Sequence, residues 1–561
     1  MEYKQEKRIC QNCKKDFTVE PDDFNFYEKM KVKPPEFCYQ CGISRVEVLR
    51  NERVVYWGEC AKCAKKTMSL YHPNSLYKVY CHDCWFSDGW DGLDYGIDYD
   101  PNSPIIEQVV KLQKTVPRES VIILNSTNCA YGNNVRDSKN CYFSFLVSNS
   151  ENVLYSMWIV SKDCMDCHKI TGSELTLYSV NVTNSYHCAY IQDSSDCSDC
   201  YFSYDLRGCT NCLFCYNLRN KSYCVRNKEF GKEEYLREYE KVFNGSYTTL
   251  LKSIAEYEEL KKSAIHRFAF FLKSSGCVGN YLENCNRNFW CFDGVDNQDV
   301  RNVASILHSK NAEWSYAIGT QPTENIFGSA VIKGGSMVKN SFNLFNSSFC
   351  DWCDSLISCN NCIACVGLKK KEYCILNKQY SKEEYIRLKK YIEEKGDLSM
   401  FMTPRFSTFG YNETAAYDYY PLSKEEISKQ GYSWQDDFPA TSGQETIQLK
   451  DMPDNIENVS NDILKEVFAC VKCQRNYRIT LEELQYLRLF ILPLPRECPQ
   501  CRMAARRKMR LPFKLWHRDC MCDKKGHFHG EKHCEIEFET AYAPDRPEII
   551  YCERCYQQEI Y

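Results

Sequence analysis

The middle of the chain alternates short apolar runs with polar clusters at a fixed period. Runs such as NCYFSF, NVLYSM and DCYFSY carry apolar and aromatic residues, and Ser, Asn and Asp separate them. Short runs punctuated by polar turns at a constant interval predict the stacked strands of a β-solenoid. Asn and Asp suit the corners because they tolerate a left-handed backbone. One column recurs every twelve residues, with a single interval of eleven, at Cys129, Cys141, Val153, Met165, Leu177, Cys188, Cys200, Cys212 and Cys224.

The repeat block is duplicated 150 residues further along the chain. Residues 209–235 match residues 359–385 with the same Cys-x2-Cys-x2-Cys-x8-Cys spacing. Each copy ends in a predicted helical stretch that begins with KEEY. The sequence leaves open whether one coil takes twelve or twenty-four residues. The second column comprises Gly279, Cys291, Val303, Ser315, Phe327, Val338, Cys350, Cys362 and Cys374.

The residues that share these columns indicate what the column cysteines do. A buried small hydrophobic residue can replace another, whereas valine cannot replace a thiolate ligand. Because Val, Leu, Met and Phe alternate with Cys, we interpret the column cysteines as packing residues. Neighbouring Cys-x2-Cys pairs could instead close a tetrahedral metal site if one coil takes twelve residues. The cysteines considered for such an extra site are Cys197, Cys200, Cys209, Cys212, Cys359 and Cys362.

Both ends of the chain carry Cys-x2-Cys pairs at metal-binding spacing. The chain has 37 cysteines, and four such pairs lie between Cys10 and Cys84. Two pairs separated by about 15–25 residues bring four thiolates to one point, as zinc ribbons do. Four thiolates leave no open position on the ion, so these sites are expected to hold structure rather than to catalyse.

The C-terminal cysteines repeat the N-terminal ones. Five of them, from Cys470 to Cys520, lie 460 positions after five that run from Cys10 to Cys60. This agreement indicates an internal duplication, which places a double metal module at each end and predicts about four zinc ions or more. The predicted ligands are Cys10, Cys13, Cys38, Cys41, Cys60, Cys63, Cys81, Cys84, Cys470, Cys473, Cys498, Cys501, Cys520, Cys522, Cys552 and Cys555.

The last of these sites differs from its N-terminal counterpart. Its first pair is Cys520-x-Cys522, and the segment DKKGHFHGEKHC follows before Cys552. The extra side chains could supply a further zinc ion, replace a ligand or simply be hydrated loop residues. They are His527, His529, His533 and Cys534.

The segments 10–41 and 470–501 resemble a small zinc-ribbon family. Both show CxxC, an aromatic residue, a predicted short helix and a proline-bearing turn, and the second ends in CPQCR. Cys38-Tyr39-Gln40-Cys41 departs from this pattern because it lacks the proline and the arginine. The resemblance implies zinc and a treble-clef-like fold over about forty residues at each end. The whole chain resembles zinc-ribbon plus cysteine-rich repeat proteins of unknown function from uncultivated small-genome bacteria.

The predicted fold is mainly β, with a duplicated Cys-rich β-solenoid, helical appendages and two flanking double zinc-ribbon modules. The segment 441–465 is polar and non-periodic, which predicts a linker. The predicted domains are a zinc-ribbon module at 1–100, a solenoid at 120–228, a helical arm at 229–275, a second solenoid at 276–376, a helix and extended segment at 377–440, the linker at 441–465 and the second module at 466–561.

Composition and charge narrow the class of protein. The formal net charge is −4, from 71 basic and 75 acidic residues, so no global field favours nucleic acid or membrane. No apolar window of about 18 residues is present, and the first residues contain no signal-peptide core. A cysteine-rich chain with these features is expected to be cytoplasmic and to bind metal rather than form disulfides.

One segment of the C-terminal module is strongly basic. Residues 496–518 contain eight Lys and Arg and one acidic residue, a local net charge of +7. Such a run with aromatic neighbours suits phosphate groups and unpaired bases, and RNA is favoured over DNA. The alternative is a face that pairs with acidic neighbours of the same protein. The candidate nucleic-acid residues are Arg502, Arg506, Arg507, Lys508, Arg510, Lys514, Trp516 and Arg518.

The motifs of common enzyme classes are missing from the sequence. It contains no Walker loop, no GxSxG, no HExxH and no dinucleotide-binding glycine fingerprint. We therefore predict a non-catalytic zinc-binding scaffold that engages RNA or a ribonucleoprotein, with a protein-only interaction scaffold as the alternative. Lesser alternatives are an iron–sulfur or redox protein, suggested by the CxxCxxC triplets, and a solenoid carbohydrate-active enzyme. The oligomeric state stays open.

Overall fold

The computed structural model describes residues 3–319 and 321–561. Strands account for 33% of the chain and helices for 24%, so the protein is mainly β. Two long open sheets form its centre, and cysteine-rich modules with short hairpins lie at both ends of the chain. We call the two sheets the first ladder, residues 123–229, and the second ladder, residues 271–379.

The first ladder contains thirteen strands, all paired in parallel except the last hairpin. Cys200 pairs with Cys212, which pairs with Cys224. Paired residues are therefore twelve positions apart, the shorter of the two spacings that the sequence left open. The strands are Ile123–Leu124, Asn133–Arg136, Lys139–Tyr142, Phe145–Ser148, Glu151–Leu154, Met157–Met165, His168–Leu177, Val180–Thr183, Tyr186–Ser195, Ser198–Tyr204, Thr210–Leu213, Ser222–Val225 and Lys228–Glu229.

Over its described residues, the second ladder contains fourteen strands with the same predominant offset. Ala312 pairs with Ile326, an offset of fourteen, and Ile326 pairs with Val338. The predicted second column therefore joins two different columns of the ladder. Gly279, Cys291, Val303 and Ser315 form one, which continues to Ser329 because Tyr316 pairs with Ala330. Val338, Cys350, Cys362 and Cys374 belong to another, in which Ile326 rather than Phe327 precedes Val338. The strands are Phe271–Leu272, Val278–Glu283, Phe289–Val295, Arg301–Leu307, Ser309–Glu313, Tyr316–Ile318, Thr323–Phe327, Ala330–Lys333, Gly335–Lys339, Phe342–Phe345, Ser348–Asp351, Asn360–Ile363, Glu372–Ile375 and Lys378–Gln379.

Every third residue of a ladder lies in its interior. Val147, Ser150, Val153, Ser156 and Ile159 are all buried, and the residue before each has a φ between 47° and 62°. Many of the left-handed positions in the two ladders are Asn or Asp, which adopt that conformation at low cost, and others are bulky residues such as Tyr155 and Trp158. Four such triplets fill one twelve-residue pairing offset.

This arrangement corrects one predicted column. Val153 pairs with Cys164, and Cys164 pairs with Thr176, so the interval of eleven falls earlier than the sequence suggested. Met165 and Leu177 lie one position away from the column and are nevertheless fully buried, because they pack into a different core outside the ladder. Apolar character alone therefore does not distinguish the inner face from a covered outer face.

The metal-bearing modules consist of short hairpins and helices. We call residues 3–115 the N-terminal module and residues 466–561 the C-terminal module. Their strands, with the strands that lead into the two ladders, are Glu6–Ile9, Asp16–Val19, Tyr56–Glu59, Lys66–Ser69, Val79–Tyr80, Arg118–Glu119, Ile265–Arg267, Phe468–Ala469, Asn476–Tyr477, Trp516–Asp519, Glu537–Thr540 and Ile549–Tyr551. Their helices are Pro21–Met30, Tyr39–Glu47, His82–Phe86, Gly92–Tyr95 (3₁₀), Ile105–Thr115, Leu481–Leu489, Pro499–Met509 and Glu553–Ile560.

The appendages are helical, and the predicted linker is packed rather than loose. Met452, Ile456, Val459 and Ile463 are buried in the core that covers the first ladder, so this segment is part of the folded body. Polar residues outnumber its spaced apolar residues, and for that reason the segment resembles a linker in the sequence. The helices between and after the ladders are Lys232–Val242, Tyr247–Ser263, Lys382–Glu394, Pro404–Phe406 (3₁₀), Tyr411–Glu413 (3₁₀), Ala415–Tyr419, Lys424–Lys429, Leu449–Asp451 (3₁₀), Ile456–Asn458 (3₁₀) and Asn461–Lys465 (3₁₀).

Each terminal module contacts both ladders. In the N-terminal module, Val79–Tyr80 pairs with the strand that leads into the first ladder, while Tyr39 packs against Trp290 and Phe292 of the second. A Cβ on Gly42 would overlap the Trp314 ring, so this helix approaches the second ladder closely.

The C-terminal module reverses this arrangement. Its strand Ile549–Tyr551 pairs with Ile265–Arg267, which leads into the second ladder, and its helix Pro499–Met509 lies against the first. Each module thus pairs a strand with the lead-in strand of one ladder and packs a helix against the other ladder. Within the described residues, no helix combines the length and apolar character needed to cross a bilayer.

Candidate metal centres

Three groups of four cysteines gather as the sequence predicts. Their sulfur atoms all lie within 4.8 Å of one another, in groups of Cys10/Cys13/Cys38/Cys41, Cys60/Cys63/Cys81/Cys84 and Cys470/Cys473/Cys498/Cys501. Equivalent sulfur pairs are separated by 3.6 Å, 3.8 Å and 3.7 Å in the three groups. The edge of a tetrahedron with metal–sulfur bonds of about 2.3 Å is about 3.8 Å. The spacing therefore suits a four-coordinate ion.

Local backbone geometry aims these thiols. The Cys10 N–H donates to the carbonyl of Lys15 at 2.9 Å, and the Lys14 N–H donates to the carbonyl of Cys10 at 3.0 Å. Lys14 adopts a left-handed φ of 61° at this turn. Each second pair begins a helix, because Cys38 and Cys498 are the residues that cap the helices after them. The fold of each module is therefore built around its sulfur atoms.

The first thiol of each of these sites ionises readily. Burial raises its pKa, but hydrogen bonds from backbone N–H groups of both cysteine turns together lower the pKa by a larger amount. The net result is a pKa of about 7 for Cys10, about 6 for Cys60 and about 7 for Cys470. Burial dominates in the last site and raises the pKa of Cys520 to about 12. The thiolate is the form that binds metal, and each of these three sites has one thiol with a lowered pKa. Neighbouring sulfur atoms and burial raise the pKa of Cys38, Cys84 and Cys501 in the same groups.

The fourth site has a different ligand from the one predicted. Cys520, Cys534, Cys552 and Cys555 gather there, and all four are buried. The Cys534 and Cys552 sulfur atoms are 3.9 Å apart, matching the equivalent pairs of the other sites. Cys534 therefore takes the place that the sequence analysis gave to Cys522.

An insertion explains this correction. Cys60 and Cys63 are three positions apart, whereas Cys520 and Cys534 are fourteen apart, so the C-terminal copy has gained eleven residues between equivalent ligands. The Cys520 N–H donates to the carbonyl of Ile536 at 2.9 Å, as the Cys60 N–H does to that of Lys65. The spacing from Cys534 to Cys552 equals that from Cys63 to Cys81, and this was the signal that the sequence analysis missed.

The insertion brings together a fifth group. Cys522, His527 and His529 gather with Cys555, and their ligand atoms also lie within 4.8 Å of one another. His533 does not join them, because its Nδ1 lies 2.6 Å from Asp523 Oδ1 on the exposed side of the loop. Cys555 is common to the fourth and fifth groups.

The cysteines of the ladders form no comparable group among the described residues. Each of the six considered as extra ligands is buried, and its sulfur lies near the carbonyl oxygen two residues earlier, as in Cys197 to Ser195 at 3.1 Å and Cys359 to Ile357 at 3.4 Å. Their Cys-x2-Cys spacing reflects the three-residue period of the interior. The same spacing thus serves packing in the ladders and gathers sulfur atoms at the termini. The other four are Cys200, Cys209, Cys212 and Cys362.

The basic run of the C-terminal module is largely turned inward. Arg502 contacts Asp166 at 3.1 Å and Glu483 at 2.9 Å, and Arg506 contacts Asp166 at 2.7 Å. Both arginines are at most 7% exposed, and Asp166 is fully buried. Arg506 also donates to the carbonyl of Tyr155 at 2.9 Å. These groups connect the module to the first ladder.

Some of the other predicted nucleic-acid residues lie in the interior, and others lie at the surface. Arg507 contacts Asp418 and Arg510 contacts Asp293, and the Arg510–Asp293 pair is almost completely buried. Lys508 is exposed, and the Lys514 amine lies 4.6 Å from the centre of the Trp516 ring. Arg518 is partly buried and donates to the carbonyl of Ala543 at 3.2 Å. Half of the predicted nucleic-acid residues are therefore engaged in ion pairs within the chain.

These sites and their surroundings are the basis for any assignment, since no protein-family model matches the chain and no curated protein matches it.

Proposed function

We propose that the four four-cysteine groups bind zinc and that the metal ions hold the protein's scaffold together. The observation that carries this proposal is the sulfur spacing of 3.6–3.9 Å, which recurs at equivalent positions in every one of these groups. Four thiolates favour a tetrahedral ion such as zinc. They occupy every coordination position, which suits a structural role and leaves none for a substrate.

We also propose that the two ladders are β-solenoids. A twelve-residue offset, four triplets and a continuous buried interior support two β-solenoids built from twelve-residue coils. A solenoid exposes an edge at each end and needs a cap. The terminal modules supply pairing for the strands that lead into the ladders, at Arg118–Glu119 and Ile265–Arg267. Metal binding in a module would therefore stabilise the end of a ladder.

Removal of metal from the full chain tests this role. Purified protein is expected to contain zinc, and chelation is expected to release it and unfold the modules. Hydrogen exchange should then rise in both modules and in the two lead-in strands, while strands such as Ser198–Tyr204 keep their protection. Iron in place of zinc, or unchanged exchange in the lead-in strands after metal loss, would contradict the proposal.

For the partner, we propose a protein rather than RNA. The support is the internal pairing of Arg502, Arg506 and Arg510, which removes three cations from the surface on which RNA binding would depend. The full chain should bind single-stranded RNA weakly at both low and physiological salt. Tight binding that falls steeply with salt would favour the RNA hypothesis, because phosphate contacts release counterions.

A further inference from the structure

The fourth and fifth groups share a ligand, and the shared ligand defines a site beyond the four structural ones. We propose that Cys555 bridges two zinc ions, one held with Cys520, Cys534 and Cys552 and the other with Cys522, His527 and His529. The C-terminal module would then contain a two-metal cluster where the N-terminal module has a single ion. The eleven inserted residues would be a metal-binding loop.

The positions of the ligand atoms support two ions rather than one. Cys555 belongs to both groups of mutually close ligand atoms, whereas the other six residues divide into separate sets of three. The Cys522 sulfur is 3.2 Å from His527 Nδ1, and the Cys534 sulfur is 3.9 Å from that of Cys552. One tetrahedral ion takes four ligands and would leave three of these seven side chains without metal.

Both histidines are oriented as metal ligands. His529 Nδ1 lies 2.6 Å from the carbonyl oxygen of Lys532, to which it would donate its proton. Its Nε2 is buried and has no hydrogen-bond partner among the described residues. A buried nitrogen without a partner is unfavourable, and a metal ion in the fifth group would satisfy it.

His527 uses its two ring nitrogens the other way round from His529. Its Nε2 lies 3.4 Å from Glu559 Oε2, while its Nδ1 faces Cys522. Metal-binding histidines commonly direct their second nitrogen to a carboxylate or a backbone carbonyl, which fixes the tautomer and the ring. His527 and His529 each have one of these two partners, so each presents its other nitrogen to the same group.

Charge also favours a shared thiolate. A Zn²⁺ ion with four thiolates has a net charge of −2, whereas two ions with five thiolates and two neutral imidazoles have a net charge of −1. The four cysteines of the fourth group are all buried, and a smaller uncompensated charge is less costly to bury. Sulfur and imidazole donors select zinc over magnesium or calcium.

The decisive experiment counts metal in the intact protein. Native mass spectrometry of the zinc-loaded full chain should give five zinc ions, one for each group. His529→Ala and Cys522→Ser should each reduce the count to four. His533→Ala is the matched control, because His533 lies in the same loop outside the group, and it should retain five. Four ions in the unaltered chain, or five in the His529→Ala variant, would overturn the proposal.

Diffraction at the zinc absorption edge gives a test that needs no variant. Crystals of the full chain should show two anomalous peaks flanking the Cys555 sulfur, no more than about 4.6 Å apart, since each ion lies about 2.3 Å from the shared atom. Cys84, the equivalent of Cys555 in the N-terminal module, should have a single peak beside it. A single peak beside Cys555 would exclude the bridge, whatever the variants show.

Discussion

Arg510 of the C-terminal module forms an ion pair with Asp293 of the second ladder, in which Arg510 Nη2 lies 2.6 Å and 2.7 Å from the two carboxylate oxygens. Lys169 of the first ladder contacts the same carboxylate. One buried aspartate therefore connects three parts of the protein that are distant in sequence. The basic run that resembled a nucleic-acid surface is, at this point, part of an internal junction.

Removal of that carboxylate should destabilise the whole assembly. Asp293→Asn leaves the buried Arg510 guanidinium without its counter-charge, and breaking a buried pair in this way costs about 3–5 kcal/mol. Denaturant unfolding should show a loss of stability in that range. The matched control is Asp299→Asn in the same ladder, which breaks the exposed pair with Arg287 and should cost no more than about 1 kcal/mol. Equal losses in the two variants would contradict the assignment of this junction.

The same junction should make stability depend on acid. Burial raises the pKa of Asp293, but the positive charges of Arg510 and Lys169 lower it by a larger amount. The pKa of Asp293 therefore lies well below its usual range. A carboxyl with a depressed folded pKa contributes its full stability above the unfolded value of about 3.9 and loses it as the pH falls below that. The difference in unfolding free energy between the unaltered chain and Asp293→Asn should be constant from about pH 7 to about pH 5 and shrink below about pH 4. A difference that stays constant down to about pH 3 would rule out this linkage.

Cysteines of the two kinds should respond differently to the same substitution. Cys200→Ala removes a buried sulfur from the first ladder and should cost about 1 kcal/mol without changing the zinc content. Cys498→Ala removes a ligand and should lower the zinc content by one ion and unfold its module locally. Metal analysis and thermal unfolding of the two variants make the comparison. A lost metal ion in the Cys200→Ala variant would show that the ladder thiols bind metal after all.

Serines inside the ladder should contribute more to the free energy of unfolding than their small size suggests. The Ser150 hydroxyl donates to the carbonyl of Ser148 at 2.7 Å and accepts from the N–H of Ser161 at 3.0 Å. Ser150→Ala leaves both buried groups with one partner fewer, which should cost about 1–3 kcal/mol. The exposed Ser442→Ala is the control and should change stability by less than about 0.5 kcal/mol. Equal effects in denaturant unfolding would show that the interior serines are not structural.

The local patterns of the sequence were sufficient for several features. The twelve-residue pairing offset and the three regular groups of four cysteines depend on spacing within short segments, which can be read directly from the sequence. Cys10 and Cys13 belong to one turn, so their convergence needs only that turn and a second one like it. The left-handed corners occupied by Asn and Asp follow in the same way, whereas those at Leu146, Tyr155 and Trp158 do not.

Tertiary structure decided what the same residues do when partners lie far apart. Whether Cys522 or Cys534 completes the fourth site depends on where an eleven-residue insertion folds, and whether Arg510 faces solvent depends on Asp293, more than 200 positions away. Cys-x2-Cys pairs on two tight turns gather four sulfur atoms at one point, whereas the same spacing in the ladders forms no such group among the described residues. Sequence spacing determines local geometry, whereas burial and charge pairing between distant segments arise only when the modules and ladders pack together.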